Sequence, residues 1–206
     1  MSLSKSDLLK IAWRTNFVRL FYNYKCLFGQ GICYCIRPAL LKGHQSEPMA
    51  CQTEIINKHS TFFNCNEYLA GLAAGILLKQ EEDDPSRTAK IRQVITSTLG
   101  AVGDRFFYQL IIPLLLLISA NLLYWFYFQP RTLLIWLLVL LIIGFNLLTG
   151  TFRTAGVFIG YRQGVNALKL FKHPVFLRTE RILSAFLAFM QGVTAANLVI
   201  WLWRNC

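Results

Sequence analysis

QLIIPLLLLISANLLYWFYF, residues 109–128, and TLLIWLLVLLIIGFNLLTG, residues 132–150, are separated only by Gln129-Pro130-Arg131, and neither run contains a charged side chain. Each holds about 20 residues, and at a rise of about 1.5 Å per residue such a helix covers roughly 30 Å, the thickness of a bilayer's hydrocarbon core. Helices in soluble cores rarely stay apolar on every face for so long. Tyr124, Trp125, Tyr127 and Trp136 lie near the break, where amphipathic rings favour the headgroup layer. Residues 109–150 therefore predict a transmembrane hairpin.

Downstream, residues 182–203 read ILSAFLAFMQGVTAANLVIWLW, long enough for a third span. Gln191, Thr194 and Asn197 form one polar stripe on it. In lipid such a stripe turns toward other protein, where interhelical hydrogen bonds satisfy it. A buried helix of a soluble domain is the alternative. The composition, 55% hydrophobic and 15% charged, suits a membrane protein. The net charge of +11 would suggest nucleic acid in a soluble chain, but its placement argues for topology instead. Thirteen of the 21 Lys and Arg precede Gln109 and six lie between Thr151 and Ile182, as expected if residues 1–108 and 151–182 face the cytoplasm. No cleavable signal peptide is visible, so the first span is expected to act as its own insertion signal.

The six cysteines include one close pair, Cys33-x-Cys35, and neither Cys-x-x-Cys nor a zinc-spaced His cluster occurs. Structural or incidental thiols on the cytoplasmic side, and no metal site, are expected from that spacing. Within residues 3–28, Ser4-x-x-Asp7 is a capping box, and Lys10, Arg14, Arg19 and Lys25 alternate with Trp13, Phe17, Leu20, Phe21 and Tyr24. That mixture fits a helix in the membrane interface or one packed on a partner subunit. Gly29-Gln30-Gly31 is read as its end, with Arg37-Pro38 starting another short element. A helix is expected from Pro48 to His59, where Glu54 and Lys58 are spaced for an ion pair.

Beyond an Asn66 cap, residues 67–78 carry two interlocked small pairs, Ala70/Ala74 and Gly71/Gly75, which let helix backbones approach closely. At about a dozen residues this helix is too short to span, so it enters part way or packs on a neighbour. Glu81-Glu82-Asp83-Asp84-Pro85 reads as a solvated turn rather than a metal site. The helical pattern of residues 88–99 ends in Gly100-Ala101-Val102-Gly103-Asp104-Arg105, where two glycines allow a tight, non-helical backbone at the membrane edge. Asp104 there is either a helix cap or a functional carboxylate. After the hairpin, Gly156, Gly160 and Gly164 repeat every four residues and make a smooth helix face. Without a Gly-Lys-Ser/Thr ending or a preceding strand, this is not a phosphate loop.

The order of these features resembles a known family. His59-x-x-Phe62-Phe63-Asn64 precedes a small-residue helix and an acidic loop. Then come Leu99-Gly100-Ala101-Val102-Gly103-Asp104 before a span, and Phe145-Asn146, Arg153 and Gly160-Tyr161-x-x-Gly164 beyond it. This chain resembles the IID component of the mannose/fructose/sorbose class of bacterial phosphotransferase systems over roughly residues 5–200. The family's His-x-x-Phe-Phe-Asn-Thr-His-Pro stretch falls on His59 to Glu67, with Cys65, Asn66 and Glu67 in its last three places. Its Gly-Pro-Leu-Ala-Gly-Val/Ile-Gly-Asp stretch falls on Ser97 to Asp104, with Ser97-Thr98 in place of Gly-Pro. A basic family position is Thr149 here, and longer members carry further apolar segments beyond the counterpart of Cys206.

The resemblance implies an all-α, multi-pass subunit of the bacterial inner membrane. The hydropathy pattern divides it into interfacial or partial-depth helices in 1–108, a hairpin in 109–150, a glycine-rich cytoplasmic-side helix and linker in 151–181, and a third span in 182–206. The resemblance further implies a sugar permease in which this chain and a IIC membrane subunit form the path. A separate IIA/IIB phosphoryl carrier then phosphorylates the sugar, so neither intrinsic catalysis nor a cofactor is expected. Asn64, Asn66 and Asp104 are the substrate-path candidates. Gly71, Gly75, Gly103, Gly156 and Gly160 are the helix-packing or partner candidates, and Arg153 is the boundary anchor. His44, His59 and His173 have no evident orienting carboxylate nearby in sequence to make them phosphoryl acceptors. The alternative is a non-transporting membrane scaffold or sensor derived from the same fold, which the Ser97-Thr98 departure and the short chain favour.

Overall fold

The computed structural model describes residues 3–126 and 131–205; the expected hairpin turn at Gln129-Pro130 lies outside them. The described residues are all-α: α1 (Lys5–Thr15), α2 (Gly29–Gly43), α3 (Met49–Ser60), α4 (Ala70–Asp83), α5 (Thr88–Gly103), α6 (Ile112–Trp125), α7 (Arg131–Gln163) and α8 (Pro174–Asn205). Three stretches, Pro85–Trp125, Arg131–Lys172 and Pro174–Trp203, are long and apolar enough to cross a membrane. Apart from two isolated bridges joining Asn23, Leu27 and Phe63, there is no strand pairing among the described residues. This is a helical membrane protein.

Packing divides the chain into two units, Met1–Gly103 with Thr149–Leu170, and Asp104–Leu148 with Phe171–Cys206. These boundaries follow contacts, whereas hydropathy places them at residues 108, 150 and 181.

The first unit is built around α4, which is buried on every face from Ala70 to Leu78. Of the two expectations for this helix, the structure shows it packed on its neighbours. An all-round apolar helix needs such a central place, and each buried Leu or Ile contributes about 1.5–3 kcal/mol. α1 starts with the expected capping box: Asp7 N–H donates to Ser4 Oγ (3.2 Å) and Ser4 N–H to Asp7 Oδ2 (3.0 Å). It buries Leu8, Ile11, Ala12 and Thr15 while Leu9 and Trp13 stay exposed. Gly29 and Gly31 begin α2 instead of ending a helix. A Cβ on Gly29 would lie 2.0 Å from the Thr61 carbonyl oxygen, and one on Gly31 2.4 Å from that of Val18. Both glycines therefore serve tertiary contact, and Pro38 sits within the same helix.

α4 and the later turns of α7 meet through bare backbone. A Cβ on Gly71 would fall 1.9 Å from the Arg153 carbonyl oxygen, and one on Gly75 2.4 Å from that of Val157. Reciprocally, a Cβ on Gly156 would lie 2.7 Å from Leu72 N, and one on Gly160 2.6 Å from Leu72 O. α7 then ends at Gln163, and the φ of +55° at Gly164 just beyond it is the left-handed cap conformation that glycine adopts without penalty.

The second unit pairs α6 with α8. Asn197 Nδ2 donates to Asn121 Oδ1 (2.7 Å), and Asn121 Nδ2 donates to Thr194 Oγ1 (2.7 Å) and to the Leu117 carbonyl (2.8 Å). Two of the three expected stripe residues thus satisfy each other through Asn121, and Gln191 is exposed. The predicted non-helical break at Gly100–Arg105 is absent: α5 runs through Gly103 into a π-helical stretch, Asp104–Ile111, and on into α6. The wider π register accommodates the change within the helical backbone instead of breaking it. Arg105 Nε pairs with Glu180 Oε1 at 2.5 Å, and the Phe106 and Phe176 rings lie 5.3 Å apart.

Candidate functional site

The segment between α3 and the short 3-10 turn at Glu67–Leu69 carries two of the three path candidates. Its conformation is set by where its backbone groups find partners, since buried N–H and C=O groups need them. Phe63 N–H donates to the Cys26 carbonyl (3.2 Å), and the Phe63 carbonyl accepts from Phe28 N–H (2.9 Å). Between those two partners Leu27 has φ +49°, a left-handed conformation that costs a leucine about 1 kcal/mol or more. The strained residue is the one that pairs with Phe63.

Asn66 is buried, caps the 3-10 turn by accepting from Tyr68 N–H (3.0 Å), and packs on bare backbone. A Cβ on Gly103 would lie 2.2 Å from Asn66 Cβ. Asn64 is half-buried, and a Cβ on Gly100 would lie 3.5 Å from its Nδ2. The structure thus brings Asn66 together with Gly103 and Asn64 with Gly100. Asp104 is half-buried and opens the π stretch of the second unit. Arg153 of α7 turns back into the first unit. Its Nε donates to the Glu67 carbonyl (3.4 Å), its Nη1 to Asn16 Oδ1 (3.2 Å), and its guanidinium lies 5.2 Å from the Tyr68 ring centroid. Its own carbonyl is the atom that faces Gly71.

Sequence reading missed the charged cluster behind this segment. His59 Nε2 and Glu81 Oε1 lie 3.0 Å apart, both buried, and Lys58 Nζ donates to the same oxygen (3.0 Å) and to the Pro85 carbonyl (2.9 Å). Glu81 belongs to the last turn of α4, so the acidic run is only partly a solvated turn. Burial pushes the His59 ring below its ordinary value, with Glu81 pulling the other way. Burial would raise the Glu81 carboxyl, but hydrogen bonding led by His59 reverses this and holds it at about 2. The ring is therefore neutral and donates from Nε2. Its Nδ1 meets no hydrogen-bonding group among the described residues. A neutral, fully buried imidazole held by a carboxylate in this way orients the chain. Only a helical spacing argument across the 21 residues between His59 and Glu81 could have found the pair, and none exists across a loop.

Arg19 Nη1 reaches Glu67 Oε1 at 3.0 Å, joining the exposed N-terminal turn to a buried carboxylate. Arg14 donates to the Tyr34 carbonyl (2.8 Å) and lies 4.5 Å from that ring's centroid. Part of the basic, aromatic N-terminal pattern is thus used inside the unit.

Residues 2–201 match the family described as the PTS system mannose/fructose/sorbose family IID component. The mannose-specific EIID component of Escherichia coli (strain K12) is 25% identical over 174 residues, which is 81% of this chain and 59% of that protein. The fructose permease IID component of Bacillus subtilis (strain 168) is 25% identical over 127 residues, 58% of this chain and 46% of that one. This chain therefore spans about three-fifths or less of the length of these relatives. A chain of the cryo-electron-microscopy structure of the mannose transporter ManYZ with microcin E492 shares the fold, with a TM-score of 0.69 at 24% identity over 93% of this chain and 70% of that one. A match that runs almost from end to end, through the His59–Glu67 segment and the α4–α7 glycine crossing, makes this chain a member of the IID component family of the mannose/fructose/sorbose phosphotransferase systems.

Proposed function

We propose that this chain is a multi-pass inner-membrane subunit of a phosphoenolpyruvate-dependent sugar permease, and that it forms the translocation path with a IIC subunit. A IIA/IIB protein carries the phosphoryl group and modifies the sugar, so this chain contributes binding and shape. The observation that carries the reading is the Thr61–Asn66 segment, where Asn64 and Asn66 are set against bare glycine backbone of α5. The half-buried Asn64 amide suits a neutral sugar, because it both donates and accepts hydrogen bonds without bringing a charge into a low-dielectric path, while Asn66, buried and capping the 3-10 turn, shapes the segment. Asp104 is the third group assigned to the path. Gly71, Gly75, Gly103, Gly156 and Gly160 serve close helix packing, and Arg153 anchors the cytoplasmic boundary.

Tagged protein isolated from its native membranes in mild detergent tests the assembly. A IIC-like subunit recovered in comparable amount supports the permease, and uptake by the co-reconstituted pair with a IIA/IIB carrier then tests transport. Recovery of this chain alone, or uptake unchanged in both Asn64→Ala and Asp104→Asn, overturns the reading and leaves a non-transporting scaffold.

A further inference from the structure

We infer that Arg92 is the positioning residue of the proposed path: its guanidinium clamps the backbone of residues 59–63 and thereby sets where Asn64 and Asn66 stand. Arg92 lies in the second turn of α5 and is only 5% exposed. Its Nη1 donates to the His59 carbonyl (3.2 Å) and its Nη2 to the carbonyls of Thr61 (3.0 Å) and Phe62 (3.4 Å). Its carbon centre lies 4.9 Å from the centroid of the Phe63 ring. Four of five consecutive residues are thus held by one side chain.

The backbone accounting explains why an arginine is needed. Residues 26–28 take both backbone groups of Phe63, leaving the carbonyls of 59, 61 and 62 for Arg92. A planar guanidinium can serve three diverging oxygens and stack on a ring at once, which the compact ammonium of lysine cannot. Its charge also sits at the C-terminal end of α3, the negative end of that helix's dipole. Glu81 fixes the His59 side chain, so α4 and α5 together immobilise the residues leading into Asn64.

The assignment of Asn64 and Asn66 to a path rests on the proposed function, but the clamp has a readout of its own. Cys65 lies between the two asparagines and is 2% exposed, while Cys35 of α2 is fully buried in the same unit. Full-length Arg92→Gln and Arg92→Lys proteins in mild detergent would be alkylated with a small maleimide, and each cysteine read by peptide mass spectrometry. Cys65 labelling is expected to rise about tenfold or more in Arg92→Gln, and by less in Arg92→Lys, while Cys35 stays protected, the signature of local opening. If Cys65 and Cys35 rise together, Arg92 supports the whole unit and the inference is overturned. Unchanged Cys65 labelling overturns it equally. Should Arg92→Gln fail to accumulate, Arg92→Lys decides on the same two cysteines. In reconstituted uptake, released positioning should raise KM several-fold while kcat changes less, since binding geometry is what is lost. Asn64→Ala should change uptake without exposing Cys65, so failure of the path reading and failure of the clamp reading are told apart.

Discussion

Glu81 Oε1 lies 3.0 Å from His59 Nε2 although the two are 22 positions apart in the sequence, and both side chains are buried. This pair makes the first unit sensitive to acid in two stages. His59 is held below 6.5, so as pH falls through that value the unfolded chain binds a proton that the folded chain refuses. Glu81 is held at about 2 against 4.5, so the same imbalance recurs between those values. In both windows the unfolded state binds more protons and stability falls with pH. Glu81 alone corresponds to on the order of 3 kcal/mol at neutral pH. Thermal midpoints in detergent should drop below pH 6.5 and again below 4.5. Glu81→Gln should be less stable at neutral pH and lose its deficit toward pH 2. His59→Gln should lack the upper stage, and an unchanged upper stage in that variant would refute the assignment.

Along one helix, α7, glycines differ in what they face. A Cβ on Gly156 would meet Leu72 N at 2.7 Å, whereas one on Gly144 meets nothing within 4 Å. Gly156→Ala and Gly71→Ala should each lower stability by about 2 kcal/mol or more, because backbone cannot yield as a flexible side chain can. Gly144→Ala should be neutral or slightly stabilising, by up to about 1 kcal/mol from helix propensity. Melting of the three variants in one detergent checks the contrast, which equal losses at Gly144 and Gly156 would contradict.

The contrast shows how far the sequence can be read. The spanning runs are legible because a helix in lipid is apolar on every face, and four-residue glycine steps are legible because packing repeats with the helical turn. The Asn121 amide was not legible. It stands with Ser119 in an otherwise apolar run, and the two make no stripe of the kind that Gln191, Thr194 and Asn197 make on α8. Gly29 and Gly31 read as a helix end because their local propensity is poor, but contacts to Thr61 and Val18 override it. The Arg92 clamp and the His59–Glu81 pair are contacts across loops, which leave no periodic trace. Family resemblance pointed to the His59–Glu67 segment, and only the folded chain reveals what grips it.

Glu67 occupies the place where the family pattern has proline, and its buried carboxylate is met by an arginine that is largely exposed. Removing Arg19 leaves the buried carboxylate with the Tyr68 side chain as its hydrogen-bonding partner, so Arg19→Ala should cost about 1 kcal/mol, at the upper end for a partly exposed pair. The double variant Arg19→Ala/Glu67→Gln should recover part of that loss. A single variant as stable as the parent would mean that Arg19 contributes nothing to holding the carboxylate and that Tyr68 suffices.

Asn121 joins α6 to α8 through two hydrogen bonds of 2.7 Å, one to each polar group it faces. In an apolar surrounding, leaving a partner unmet should cost more than the bond itself contributes. Interhelical bonds of this kind in membranes nevertheless couple by only about 0.6–2 kcal/mol, since helices apart in lipid also find substitutes. Asn121→Ala should therefore destabilise the second unit by about that amount, with Asn197→Ala similar. The Asn121→Ala/Asn197→Ala double variant should lose less than the sum of the two. Strict additivity would show that the two amides hold α6 and α8 independently, and that the stripe on α8 is there for something other than this pairing.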